Sequence, residues 1–87
     1  MTMHLRDMAP AQQAGILCND EKFRLFIGTL CLSRAETFCP EATAEYVRHH
    51  CGITSRRDLN TDHAARAKFN ALRTEFDAWR GAIAKPR

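Results

Sequence analysis

Apolar residues recur at steps of three and four along the last third of the chain, between an Asn-Thr start and a glycine stop. This spacing predicts an amphipathic α-helix from about Asp62 to Arg80, because residues three and four apart share one helix face. The predicted core face consists of Ala65, Phe69, Leu72, Phe76 and Trp79. The opposite, mostly basic face consists of Arg66, Asn70, Arg73, Asp77 and Arg80.

Two short helices are predicted in the first third of the chain. Pro10 suits a first helical position, and the apolar residues Ala11, Ala14, Ile16 and Leu17 follow it. Asp20 can accept the free amides of a second helix, which is predicted from about Glu21 to Leu32. The apolar face of that second helix consists of Phe23, Phe26, Ile27, Leu30 and Cys31.

A third helix is predicted from Pro40 to about Cys51, and a sharp corner follows it. Gly52 is expected to stop the helix in a left-handed conformation, with Ile53 folding back on the last turn. Residues 55–58, SRRD, have the form of a capping box, in which a side chain at each end binds the backbone at the other. The corner is therefore expected to contain a one-turn helix that ends at Leu59.

The fold class follows from these elements. No segment of useful length alternates apolar and polar residues as a half-buried strand does, so we predict an all-α fold, a compact bundle of four to five short helices. With 87 residues, 45% of them hydrophobic and 26% charged, the chain suits one small folded domain. We expect a flexible leader over residues 1–8, a single helical domain over 9–81 and a flexible tail over 82–87.

The sequence also bears on location and redox state. No stretch approaches the roughly 20 apolar residues that span a bilayer, and the first residues lack the apolar core of a secretory signal. We therefore expect a cytoplasmic protein with no membrane partner. In that compartment the four cysteines are expected to remain free thiols.

No metal or catalytic site is predicted. The candidate ligands lack the close pairs, such as C-x2-C, that structural zinc sites use, and the consecutive residues 49–51 point in three directions on a helix. No carboxylate pair, glycine-rich loop or nucleophile elbow is present, so we expect no enzyme and no cofactor. The metal candidates considered are His4, Cys18, Cys31, Cys39, His49, His50, Cys51 and His63.

Exposed arginines are the candidates for binding a partner. The formal net charge of +3 favours nucleic acid or an acidic protein surface. An ordinary solvated face is the competing interpretation, since Asp62 could pair with Arg66, and Asp77 with Arg73 or Arg80. The predicted partner-binding residues are Arg56, Arg57, Arg66, Arg73 and Arg80.

The corner after the third helix invites comparison with a helix-turn-helix. Gly52 would lie in the turn, and Arg56 and Arg57 near the start of the second helix. Two positions disagree with the motif, because Arg48 replaces a small residue and Asp58 replaces an apolar one. A short connecting helix is the favoured interpretation of the corner.

Three segments, PAQQAGILCNDEKF, CGITSRRDLN and FNALRTEFDAWRG, together resemble small open reading frames of temperate phages and prophages of Gram-negative bacteria. The resemblance covers about half of the chain, at caps, corners and core positions. It implies a setting among replication and recombination genes, or an anti-defence role such as that of anti-CRISPR proteins. It assigns no functional residue.

The leading hypothesis is a non-enzymatic binding protein that acts on a bacterial or phage protein complex handling nucleic acid. It would be an anti-CRISPR-like inhibitor or a phage accessory factor. The alternative is a protein that binds DNA directly through the corner and the basic helix face. A third hypothesis is a homodimer that completes a thin core.

Overall fold

The computed structural model describes residues 8–81, and this part of the chain is all-α, as predicted. The leader expected over residues 1–8, apart from Met8, and the tail expected over 82–87 lie outside the described residues. The helices pack as a compact bundle of short elements. They are α1 (Pro10–Asn19), α2 (Glu21–Leu32), α3 (Pro40–Cys51), a 3₁₀ helix (Arg56–Asn60) and α4 (His63–Trp79).

Side-chain acceptors cap the N-termini of three of the four α-helices, and of these caps the one at Asp20 was predicted. The Asp20 carboxylate accepts the backbone N–H of Phe23 at 3.3 Å, and Asp62 accepts that of Ala65 at 3.0 Å. At the start of α3 the Cys39 sulfur accepts from the N–H of Ala42. Each cap satisfies an amide that has no partner inside its helix, so the starts are fixed locally.

The corner after α3 also forms as predicted. Gly52 has φ 72°, and the N–H of Ile53 donates to the Arg48 carbonyl at 2.9 Å, which is the long bond of a Schellman closure. In the capping box the Asp58 carboxylate accepts the backbone N–H of Ser55 at 3.2 Å. Together these bonds reverse the chain and start the 3₁₀ helix.

The core centres on a cluster of phenylalanines between α2 and α4. The Phe23 and Phe76 rings meet edge to face with centroids 5.1 Å apart, and Phe26 lies 5.5 Å from Phe76. Edge-to-face contact is a favoured arrangement for aromatic rings. Leu59 of the 3₁₀ helix and Val47 of α3 are fully buried in the same core, so every helix contributes to it.

Trp79 was predicted to be a core anchor, and this is wrong. Its side chain is 41% exposed, whereas Phe69, Leu72 and Phe76 on the same stripe are about 1% exposed. Trp79 is the last residue of α4, and its ring covers Phe26 at 5.5 Å from one side only. The periodic stripe thus continues one turn beyond the packed core.

The last turn of α2 departs from its predicted face in the same way. Leu30 is 47% exposed and Cys31 is exposed, although both share the spacing of the buried Phe23 and Ile27. The loop over residues 33–39 turns back earlier along α2, since the Phe38 N–H donates to the Arg24 carbonyl. The end of α2 therefore projects past the bundle.

This return of the loop depends on Gly28, which is buried beneath it. A methyl group added at Gly28 would overlap the carbonyl oxygen of Glu36 and lie 2.8 Å from its carbonyl carbon. We expect Gly28→Ala to lower the free energy of unfolding by about 1 to 3 kcal/mol, because backbone must move. Urea unfolding followed by circular dichroism measures the change.

Gly15 in α1 provides the matched control, since a methyl group there would meet nothing closer than the Arg56 guanidinium at 3.9 Å. Gly15→Ala should raise the free energy of unfolding by about 0.5 to 1 kcal/mol through helix propensity. Equal effects of the two substitutions would contradict the close approach at Gly28.

Candidate functional site

The positions of the candidate arginines depend on how the 3₁₀ helix is attached to the rest of the bundle. This element lies against α1 and α4, and its Leu59 side chain is fully buried. Asn60 at its end accepts the backbone N–H of Ala11 at 3.0 Å, which supplies α1 with a cap from 49 residues away. The 3₁₀ helix is therefore held to α1 at its end and to the core at its centre.

Arg66 of α4 fixes the same end of the 3₁₀ helix. Its Nε donates to the Leu59 carbonyl at 3.2 Å, and its terminal nitrogen donates to the Asn60 carbonyl. The predicted pairing with Asp62 is not among the ion pairs of the described residues, and Asp62 caps α4 instead. Arg66 is half-buried and acts as a clamp between two elements.

Arg73 and Arg80 are also engaged. Arg73 is half-buried, and its guanidinium donates to the Gln13 side chain of α1. Arg80 forms an ion pair with Asp77 at 3.0 Å, which was one of the two pairings predicted for Asp77. The Arg80 guanidinium also lies 5.0 Å from the centroid of the Phe76 ring. Arg80 is fourteen positions from Arg66, which is about 21 Å along the helix axis.

Arg56 and Arg57 at the start of the 3₁₀ helix have different surroundings. Arg57 is exposed, and its side chain makes no hydrogen bond or ion pair with any residue between 8 and 81. Arg56 is half-buried and lies along α1 over Gly15. Neither arginine is neutralised by a carboxylate of the described residues.

Arg56 separates two cavities on the surface of α1. One, of about 660 Å³, is bordered by Gly15 and Ile16, and the other, of about 320 Å³, by Cys18, Ala44 and Arg48. Arg56 and Asn19 border both cavities. Both cavities are wide open to solvent, and we refer to them together as the groove between α1, α3 and the 3₁₀ helix.

Arg48 was not predicted to bind a partner, but the structure brings it to the same groove as Arg56. It is half-buried, and no carboxylate among residues 8–81 pairs with it. The sequence could have indicated this placement, because Arg48 follows the buried Ala44 by one turn and therefore borders the core face of α3. We call Arg48, Arg56 and Arg57 the basic corner.

The thiol of Cys18 reports on the charge in this groove. Burial raises the pKa of Cys18, while the nearby guanidinium groups of Arg56 and Arg48 oppose that rise. Burial likewise raises the pKa of Cys51, and Lys68 opposes it. Both thiols are neutral near pH 7 and inaccessible, so neither has the character of a reactive cysteine.

The structure does not bring the five predicted arginines together on one surface. Arg56, Arg57 and Arg66 come together around the 3₁₀ helix, but Arg66 is occupied by backbone carbonyls. Arg73 lies farther along α4, and Arg80 is ion-paired at its end. Of the five predicted arginines, Arg56 and Arg57 therefore have no acceptor of this kind within residues 8–81, and Arg48 lies beside Arg56.

The corner after α3 does not form the second helix that a helix-turn-helix requires. The element after Gly52 is a 3₁₀ helix of five residues, shorter than two α-helical turns. Asp58 is engaged in its capping box, as the connecting-helix interpretation requires. A recognition helix that inserts into a major groove is therefore not formed by residues 56–60.

The described residues contain neither a cluster of metal ligands nor a membrane-spanning helix. Within residues 8–81 no three His, Cys, Asp or Glu side chains come together as ligands, and His4 lies outside that range. His50 instead stacks on Tyr46, with ring centroids 5.6 Å apart. None of the helices between residues 8 and 81 combines the length and apolarity needed to cross a bilayer.

Comparison with known proteins gives no relative from which a role could be transferred. No family model, curated protein or solved structure matched the chain.

The role of Arg66 as a clamp can be tested by a substitution that keeps its charge. Arg66→Lys should lower the free energy of unfolding by about 1 to 2 kcal/mol, because an ammonium group cannot reproduce the planar fork that reaches both carbonyls. Arg57→Lys is the control and should change it by less than about 0.5 kcal/mol. Urea denaturation of both variants gives the comparison, and equal losses would refute the distinction.

Proposed function

We propose that this protein is a non-enzymatic binding module that acts on a nucleic-acid-handling protein complex, with the basic corner contacting an acidic patch on that complex. The observation that carries the proposal is the set of three arginines that lack a carboxylate partner within residues 8–81, next to a groove. The other candidate arginines are engaged within the fold.

The mechanism is steric and electrostatic. The 3₁₀ helix is held by Leu59 in the core and by the Arg66 clamp, so Arg56 and Arg57 are presented on a fixed backbone. A rigid surface loses less conformational entropy on binding than a mobile loop does. Arginines near a groove steer an acidic partner and fix its orientation, while the bundle blocks the surface it covers.

The phage setting is part of the proposal and rests on the three segments that resemble prophage proteins. In that setting the protein is an accessory factor or an anti-CRISPR-like inhibitor of a host defence complex. The chain is basic, with a net charge of +3, so covering an acidic protein surface suits it better than mimicry of DNA does.

Direct DNA binding remains the alternative function. Three arginines without a carboxylate partner within residues 8–81 favour phosphate contact in general, and such contact weakens steeply with salt because counterions are released. The 3₁₀ helix over residues 56–60 is short and contains no aromatic residue, so it favours neither major-groove reading nor base stacking.

A pull-down from host lysate, with and without nuclease, tests the proposed function. The tagged protein should retain a specific protein complex after nuclease treatment. The double variant Arg56→Ala/Arg57→Ala should lose that complex, because it removes two of the cations that face the partner.

The control variant Arg34→Ala/Arg80→Ala removes the same charge from two arginines that are ion-paired outside the corner. It should retain the complex. Loss in the control as well would assign capture to overall charge, and recovery of nucleic acid that nuclease abolishes would favour direct DNA binding instead.

A further inference from the structure

The groove beside the 3₁₀ helix has the chemistry of a site for one acidic side chain. Arg56 crosses it, and Arg48 borders the smaller cavity of about 320 Å³ from α3. Both arginines border this cavity together with Cys18, so the 3₁₀ helix and α3 each bring a basic side chain to it. Both are half-buried, and a charge in such a place interacts more strongly than one in open water.

Within residues 8–81 no carboxylate forms an ion pair with Arg48 or Arg56. Asp20 borders the larger cavity, but its side chain is engaged as the cap of α2. Glu41 borders the smaller cavity at the start of α3, seven positions before Arg48, which is about 10 Å along the helix. The groove therefore carries Arg56 where its two cavities meet, Arg48 on the smaller cavity, and one acidic residue on the rim of each cavity.

This uneven charge limits what the groove can bind. A run of acidic residues, or a phosphate dianion, would place excess negative charge near Asp20 and Glu41. A single carboxylate matches the two guanidinium groups without that repulsion, and arginine forks bind carboxylates with two parallel hydrogen bonds. Ile16, which is 44% exposed on the larger cavity, provides an apolar contact beside it.

We propose that the groove between α1, α3 and the 3₁₀ helix binds one acidic side chain of a protein partner, with its carboxylate between Arg48 and Arg56 and an apolar neighbour on Ile16. This inference rests on the proposed function, since it specifies how the acidic partner is recognised. It adds Arg48 and Ile16 to the surface and makes Arg57 a peripheral contact.

Two peptides that differ in one group test the site on the intact protein. The ¹⁵N-labelled protein is titrated with acetyl-Leu-Ala-Glu-Ala-Leu-amide and with the same peptide carrying Gln for Glu, while backbone amide and arginine Nε–H signals are followed. The Glu peptide should shift the Nε–H signals of Arg48 and Arg56 and the amides of residues 15–19. The Gln peptide should bind about tenfold more weakly, since it lacks the charge.

Inorganic phosphate is titrated at the same concentrations as the probe for the other anion class. Tighter binding of phosphate than of the Glu peptide at Arg48 and Arg56 would overturn the assignment to a protein side chain. Two results would overturn the site itself. One is a set of shifts spread over Arg57, Lys68 and other surface cations. The other is the absence of any shift at 10 mM peptide, about tenfold above the concentration at which a small ligand is expected to bind.

A charge-preserving variant distinguishes binding at this site from nonspecific electrostatic attraction between the peptide and the protein. Arg48→Lys/Arg56→Lys keeps the net charge but removes both forks, and should weaken the Glu peptide about tenfold. Arg34→Lys/Arg80→Lys is the control and should bind normally. The peptide comparison on the unsubstituted protein stands even where the lysine variant folds poorly.

The two proposals fail differently. If the lysine variant still captures the nuclease-resistant complex while Arg56→Ala/Arg57→Ala does not, the corner binds the partner but the carboxylate site is wrong. If the peptide binds as expected and no complex is captured from lysate, the site exists but the proposed function is wrong.

Discussion

The attachment of one short 3₁₀ helix to the rest of the bundle is the constraint on which the candidate surface depends. Leu59 anchors it in the core, Arg66 donates to its last carbonyls, and Asn60 caps α1. A single turn of 3₁₀ helix has little stability of its own, so its shape is set by these contacts. Because they also fix its distance from α1, they determine that Arg56 lies across α1 and not in open solvent.

The arginines of this protein differ in whether their guanidinium groups already bind acceptors within the fold. Arg66 and Arg73 bind groups of the fold, and Arg80 pairs with Asp77. Guanidinium groups with such acceptors are poor sources of affinity, since a partner would have to replace bonds that already exist. Arg48 and Arg56 are half-buried without a carboxylate partner in the described part of the chain, and the proposed binding of an acidic partner rests on this pair beside the groove.

Sequence patterns predicted the helices well, because local chemistry sets their ends. The caps at Asp20 and Asp62 and the left-handed stop at Gly52 act within a few residues, so they can be recognised without the fold. The stripe ending at Trp79 was less informative, since periodicity identifies a face but not where the neighbouring helix ends. Which arginines are available was not predictable, because Arg66 and Arg73 bind acceptors brought close only by folding.

Photocrosslinking in living cells tests most directly whether the basic corner is the working surface. Thr54 at the corner and Thr74 on α4 are both exposed threonines, so p-benzoylphenylalanine in place of each compares two faces of the same protein. If the basic corner is the working surface, position 54 gives a nuclease-resistant protein adduct and position 74 gives none. An adduct from position 74 alone, or crosslinks from position 54 only to nucleic acid, would contradict it.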